Sequence, residues 1–120
     1  MAVEIPQMPS YAENSQTTEI QIDDIRRILQ PRVTRGEVHV ARTAEGYTIY
    51  HHYRSATNAR KLQMPIAQLR TVTTDKFELF WGRGSGRWWT YHDIEERPFI
   101  AQFDRCMDEI SKDPWGCFWG

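Results

Sequence analysis

Nowhere does the 120-residue chain approach the run of 18 or so apolar residues that a membrane-spanning helix needs, and its mean hydropathy is −0.65. There are only two cysteines, Cys106 and Cys117, and no charged-then-apolar leader. The expectation is a protein of the reducing cytoplasm, off the membrane, with both thiols free and no disulfide framework. Cys106 falls on the apolar stripe of a predicted helix, where a small buried hydrophobe is the expected role.

Catalytic and cofactor motifs are equally scarce. Gly82, Gly84 and Gly86 have part of a dinucleotide-binding spacing, but they lead into a strand, so the helix N-terminus that would cradle phosphate is missing. Ser85 lacks the Gly-x-Ser-x-Gly frame of an activated nucleophile. His51 and His52 are neighbours on a predicted strand and face opposite ways; His39 and His52 can lie side by side but have no third ligand placed beside them. Glu95-Glu96 and Asp108-Glu109 read as helix-terminus and solvent-face charges. No catalytic residue, metal or cofactor is expected, and a metal-dependent enzyme is the weakest of the functional readings.

Lysine is sparse too, with three among the fifteen basic residues and arginine supplying twelve. The net charge of −1 hides a layered distribution: residues 1–25 carry five acids and no base, residues 26–92 twelve bases and four acids, residues 93–120 three bases and seven acids. An arginine-rich centre suits bidentate phosphate contact and stacking on bases. Acidic termini folded over it would neutralise the same charge.

What is plentiful is aromatic surface between residues 77 and 92, FELFWGRGSGRWWTYH, and all five tryptophans lie from Trp81 to Trp119. Alternation on both sides of Gly84-Ser85-Gly86 predicts a hairpin; a two- or four-residue loop would set Trp81 opposite Trp88 and Phe80 opposite Trp89. An earlier hairpin is predicted from Glu37–Arg42 and Tyr47–Arg54 around Ala44-Glu45-Gly46, with Val38, Val40, Tyr47, Ile49, His51 and Tyr53 on one face. Ile22, Ile25, Ile28 and Leu29 share one side of a short helix that follows Thr18 and stops at Pro31. Residues 1–17 read as a flexible or docked arm and 18–120 as a single domain. The stretch Ser55–Leu62 reads as a basic loop, Pro65–Val72 as a helical turn leading into a strand, and Pro98 as the opening of a helix with the stripe Phe99, Phe103, Cys106, Met107, Ile110. The fold class is α+β: a mainly antiparallel sheet of about five strands, with an N-terminal and a C-terminal helix.

The segments Pro65-Ile66-Ala67, Phe77-x-Leu79-Phe80-Trp81-x-Arg83, Arg87-Trp88-x-x-Tyr91 and Asp113-Pro114-Trp115-Gly116-Cys117-Phe118-Trp119-Gly120 together resemble a bacterial domain-of-unknown-function family, the one numbered three thousand and twenty-four. The resemblance runs from about Ile20 to the end and is most specific in the terminal box. It implies a small stand-alone bacterial protein and supplies no activity. One departure is visible: the family's acidic residue two before an Arg-Pro step is His52 here, followed by Arg54 and Ser55. The box also reads structurally, as a C-terminal plug for the core.

Two functional readings of different class follow. The first is a non-catalytic module for single-stranded nucleic acid, using Arg54, Arg60, Lys61, Arg83, Arg87, Trp88 and Trp89 to contact phosphates and stack bases. The second is a protein-interaction or inhibitor domain, of phage- or defence-associated type, using the same hairpin or the N-terminal arm. A homodimer stays open.

Overall fold

The structure is a computed structural model and describes residues 21–82, 84 and 86–120. The predicted arm, Thr18 ahead of the first predicted helix, Arg83 and Ser85 lie outside the described residues.

The first helix (α1, residues 21–29) puts Ile25 and Leu29 at full burial with Ile22 and Ile28 packed beside them, as the spacing predicts. Pro31 cannot supply the N–H that another α-turn needs, and the chain closes with a single 3₁₀ turn, Gln30–Arg32. Gln30 then guards the sheet edge. Its Oε1 accepts from the Val38 N–H at 2.9 Å and its Nε2 donates to the Gly36 carbonyl at 3.2 Å.

Four long strands follow in antiparallel order: β1 (Glu37–Thr43), β2 (Gly46–Arg54), β3 (Lys61–Thr73) and β4 (Lys76–Trp81). Two short strands, β5 (Trp89–Thr90) and β6 (Ile100–Gln102), both pair with β4 and complete six strands among the described residues. The chain is α+β. Its first hairpin has the expected facing of side chains, and of the two possible two-residue loops it uses Ala44-Glu45, with Val38 opposite His51 and Val40 opposite Ile49. One face of the sheet carries Val38, Val40, Tyr47, Ile49, Ala67, Leu69, Phe77 and Leu79, packed in one cluster with α1 and with the C-terminal helix α2 (Phe103–Lys112).

The opposite face is bound by side chains across the strands. Gln68 Nε2 donates to Thr48 Oγ1 at 3.1 Å, Arg70 Nε donates to Gln68 Oε1 at 2.7 Å, and the Arg70 guanidinium lies 3.8 Å from the Phe80 ring centroid. This polar network explains how Thr48 and Phe80 are buried on a face that neither described helix covers.

Three expectations are corrected. Pro65–Val72 contains no helical turn: it lies inside β3, and the proline is accommodated beside a bulge where Ile49 faces Ala67 and Tyr50 faces Pro65, leaving Ile66 as the extra residue. The C-terminal helix starts at Phe103, not Pro98, because backbone bonds draw Phe99 into the sheet: its N–H donates to the Tyr91 carbonyl at 2.9 Å and its carbonyl accepts from the Leu79 N–H at 3.0 Å. In the aromatic hairpin Trp81 faces Trp89 and Phe80 faces Thr90, one step from the expected register. Gly84 and Gly86 both take positive φ, +68° and +76°, in a loop with an odd number of residues, and an odd loop moves every following side chain to the other face. Tyr91 consequently enters the core, where its ring centroid lies 4.7 Å from that of Phe118.

Candidate nucleic-acid interface

Lys61 opens β3 directly opposite Arg54, the last residue of β2. Like charges directly opposite on a sheet repel. The turn between them is nevertheless well fixed: Ser55 N–H donates to the Arg60 carbonyl at 2.8 Å, Arg60 N–H to Asn58 Oδ1 at 3.0 Å, and Arg54 to the Ala59 carbonyl at 3.0 Å. Arg60 is thereby held exposed beside the pair. Arg35 arrives from the far side of β1, its carbonyl accepting from His51 Nε2 at 2.7 Å.

These residues line or border an open cleft of about 650 Å³ bounded by Arg35, Glu37, His52, Arg54, Lys61 and Gln63. Arg35, Arg54, Arg60 and Lys61 form no ion pair among the described residues, as is also true of the dispersed Arg32, Arg42 and Lys76, whereas Arg26, Arg27, Arg70, Arg97, Arg105 and Lys112 each have an acidic partner. Among the described residues, Glu37 is the one acid on the cleft wall. The cleft is therefore cationic, and its charge is not neutralised by an acidic partner among the described residues, although the Arg54 guanidinium also donates to the Ala59 carbonyl.

His52 stands in the wall with Nε2 at 2.7 Å from Gln63 Oε1, and its ring stacks on His39 at 4.4 Å between centroids and 15° between planes. The predicted side-by-side placement holds. Burial is the main reason that the His39 pKa is lowered from 6.5, with His52 and Arg26 adding repulsion and Glu37 opposing. No group of three or more metal-ligating side chains occurs among the described residues.

Of the rest of the expected site, Arg87 and Trp88 sit just before β5 and Trp89 opens that strand. The Arg87 guanidinium lies 5.4 Å from the Trp89 ring centroid, Trp89 is 43% exposed, and its ring lies 6.4 Å from that of Trp81. Trp88 is packed so closely over Gly82 that a Cβ there would come within 2.8 Å of its ring. Since Trp81 pairs with Ala67, the loop leaves β4 toward the end of the sheet at which β3 begins. Lys61 to Ile66 separates the two levels by roughly 20 Å of strand. Arg54, Arg60 and Lys61 thus converge, while Arg87, Trp88 and Trp89 form a separate group toward the same end. The sequence reading missed Arg35, His52 and Gln63, which reach the cleft only through strand pairing; the adjacent Arg35-Gly36 step before a strand was the available signal.

The terminal box is a structural unit. Asp113 takes a left-handed conformation (φ 47°, ψ 57°) after α2, and its buried carboxylate accepts from Phe118 N–H at 3.1 Å and Trp119 N–H at 2.8 Å. Trp119 Nε1 donates to the Ile110 carbonyl at 2.9 Å, and Phe118 is fully buried. The predicted plug holds for Phe118 and Trp119, whereas Trp115 remains exposed.

Residues 12–120 match the family described as Domain of unknown function (DUF3024). The chain belongs to that family. No curated protein and no solved structure matches it. In this DUF3024 domain Cys106 is fully buried, and burial pushes its thiol up to about 12, as expected of a packing residue. Tyr91 is also driven well above the usual phenol range, first by burial and then by its 2.7 Å hydrogen bond to Glu109 Oε2. No helix among the described residues is long and apolar enough to cross a membrane.

Proposed function

We propose that this DUF3024 domain is a non-catalytic, cytoplasmic module that binds single-stranded nucleic acid. One observation carries the reading: four cations without ion pairs, Arg35, Arg54, Arg60 and Lys61, gather at one end of the sheet around an open cleft. A phosphate between Arg54 and Lys61 would relieve their repulsion, and Arg87 with Trp88 and Trp89 would supply stacking surface toward the same end. The cytoplasmic part of the proposal rests on the free thiols Cys106 and Cys117.

The test is a binding titration of mixed-sequence single-stranded DNA and RNA. With four phosphates neutralised, the slope of log affinity against log salt is about −2.8, so affinity falls about 50-fold between about 50 mM and about 200 mM salt. Replacing Arg54 and Lys61 together by Ala makes that slope shallower by about 1.4. Absence of saturable binding at the lower salt, or a slope indifferent to the double substitution, refutes the proposal.

A further inference from the structure

The plug explains most of the terminal box but not Trp115. Asp113, Phe118 and Trp119 are bonded or buried, whereas Trp115 keeps 63% of its surface exposed. Its indole stands at a second groove, of about 350 Å³, between the C-terminal turn and the excursion from Tyr91 to Phe99. Trp81, Tyr91 and Trp115 provide aromatic lining, and Asp93 and Glu96 provide carboxylates.

The excursion is built to hold those acids in place. His92 bridges Pro98, and Asp93 N–H donates to the Arg97 carbonyl at 2.8 Å. Asp93 Oδ1 in turn accepts from Glu95 N–H at 2.8 Å and Arg97 N–H at 3.0 Å. The Arg97 guanidinium is engaged outside the groove, with Glu95 and, at 3.9 Å, with Asp93. The Glu96 backbone N–H donates to the Asp93 carbonyl at 2.9 Å, and its carboxylate has neither hydrogen bond nor ion pair among the described residues. An aromatic wall joined to an unpaired carboxylate is complementary to a cation and repels phosphate. The surrounding chain agrees: residues 93–120 carry seven acids and three bases. The groove is near the lower end of the roughly 300–1,000 Å³ typical of ligand sites, so it suits one long side chain better than a cofactor.

We propose that this groove receives an arginine or lysine side chain of a partner protein, its cationic head between the Trp115 ring and the Glu96 carboxylate. The site is distinct from the cationic cleft and opposite to it in charge, so it stands whether or not the domain binds nucleic acid.

A fluorescein-labelled, end-capped arginine–glycine hexapeptide, titrated with the full chain and followed by anisotropy, tests this against the matching glutamate–glycine hexapeptide. The expected result is saturable binding of the basic peptide alone, weakened about tenfold by Trp115→Ala and comparably by Glu96→Gln. Trp115→Phe should restore part of the loss, and Arg54→Ala/Lys61→Ala should leave binding unchanged. Both substituted groove positions are exposed, so circular dichroism should be that of the wild type. Equal binding of the two peptides, no saturable binding, or wild-type affinity in Trp115→Ala overturns the proposal.

Discussion

Asp113 makes the firmest prediction about the architecture, because a single side chain there holds the end of the chain against the core. Its two carboxylate oxygens accept from consecutive backbone N–H groups, those of Phe118 and Trp119. A hydrogen bond to a charged group contributes about 1.5–3 kcal/mol net, and a buried donor left without an acceptor costs in the same range. The two bonds share one carboxylate and are not additive, so their joint loss is expected to cost about 3 kcal/mol. Asp113 also sits at φ +47°, where a residue with Cβ costs about 1 kcal/mol unless its side chain bonds locally. Asp113→Ala should therefore destabilise by about 4 kcal/mol, Asp113→Gly by about 3, and Asp113→Asn, which keeps one acceptor oxygen and tolerates the backbone, by about 1–2. Urea unfolding followed by far-ultraviolet circular dichroism resolves these steps, since about 4 kcal/mol moves the midpoint by about 2 M at a slope near 2 kcal/mol/M. Midpoints for Ala and Gly that match the wild type, or an Asn variant as weak as Ala, would show that the carboxylate does not anchor Phe118 and Trp119.

Gly46→Ala should destabilise by more than about 3 kcal/mol, read as a fall in the urea midpoint, because the new Cβ would stand 2.0 Å from the Leu69 carbonyl oxygen at a φ of +152°. For His39, the folded pKa lies below the unfolded 6.5, so the unfolded chain binds the proton more readily; stability should rise with pH through that window and be lost on acidification. His39→Gln removes this contribution while leaving the facing groups His52, Tyr50, Arg26 and Glu37 in place, so the wild type should lose more stability than the variant between neutral pH and about pH 5. A slope that is the same in both proteins refutes the assignment.

The first hairpin was legible because its alternation is clean and either two-residue loop puts the same side chains on the same face; the structure selects Ala44-Glu45, which pairs Val38 with His51. The α1 stripe was legible for a similar reason: Ile25 and Leu29 are four apart and face one side. What escaped lies where local pattern and tertiary pairing compete. Phe99 and Phe103 have helical spacing, yet β6 is only three residues long and too short to display a period of two. Pro65-Ile66 has the look of a helix start, and it is the long-range pairing of β3 with β2 that draws it into a bulged strand. The candidate cleft was half legible. Arg54, Arg60 and Lys61 are close in sequence, but Arg35 joins them through β1 and its bond from His51.

The register of the aromatic hairpin changes how its composition bears on function. Had Trp81 faced Trp88, Trp89 and Tyr91 would have shared the face that the helices leave uncovered, and the hairpin would have been a plausible stacking platform by itself. With Trp81 facing Trp89, Tyr91 is buried beneath the helices, Trp88 lies over Gly82, and Trp89 is shared between the Trp81 ring and solvent. Much of the aromatic surface therefore serves packing, and its abundance alone does not argue for a ligand. Charge is the more discriminating feature, because an arginine or lysine without an acidic partner contributes little to a core, whereas a tryptophan contributes wherever it is covered. Four cations without ion pairs converge around one cleft, and an unpaired carboxylate with an exposed indole marks the groove at Trp115. Opposite charge at the two places makes them separable in experiment, since substitutions at Arg54 and Lys61 should change polynucleotide binding without touching peptide binding, and those at Trp115 and Glu96 should do the reverse.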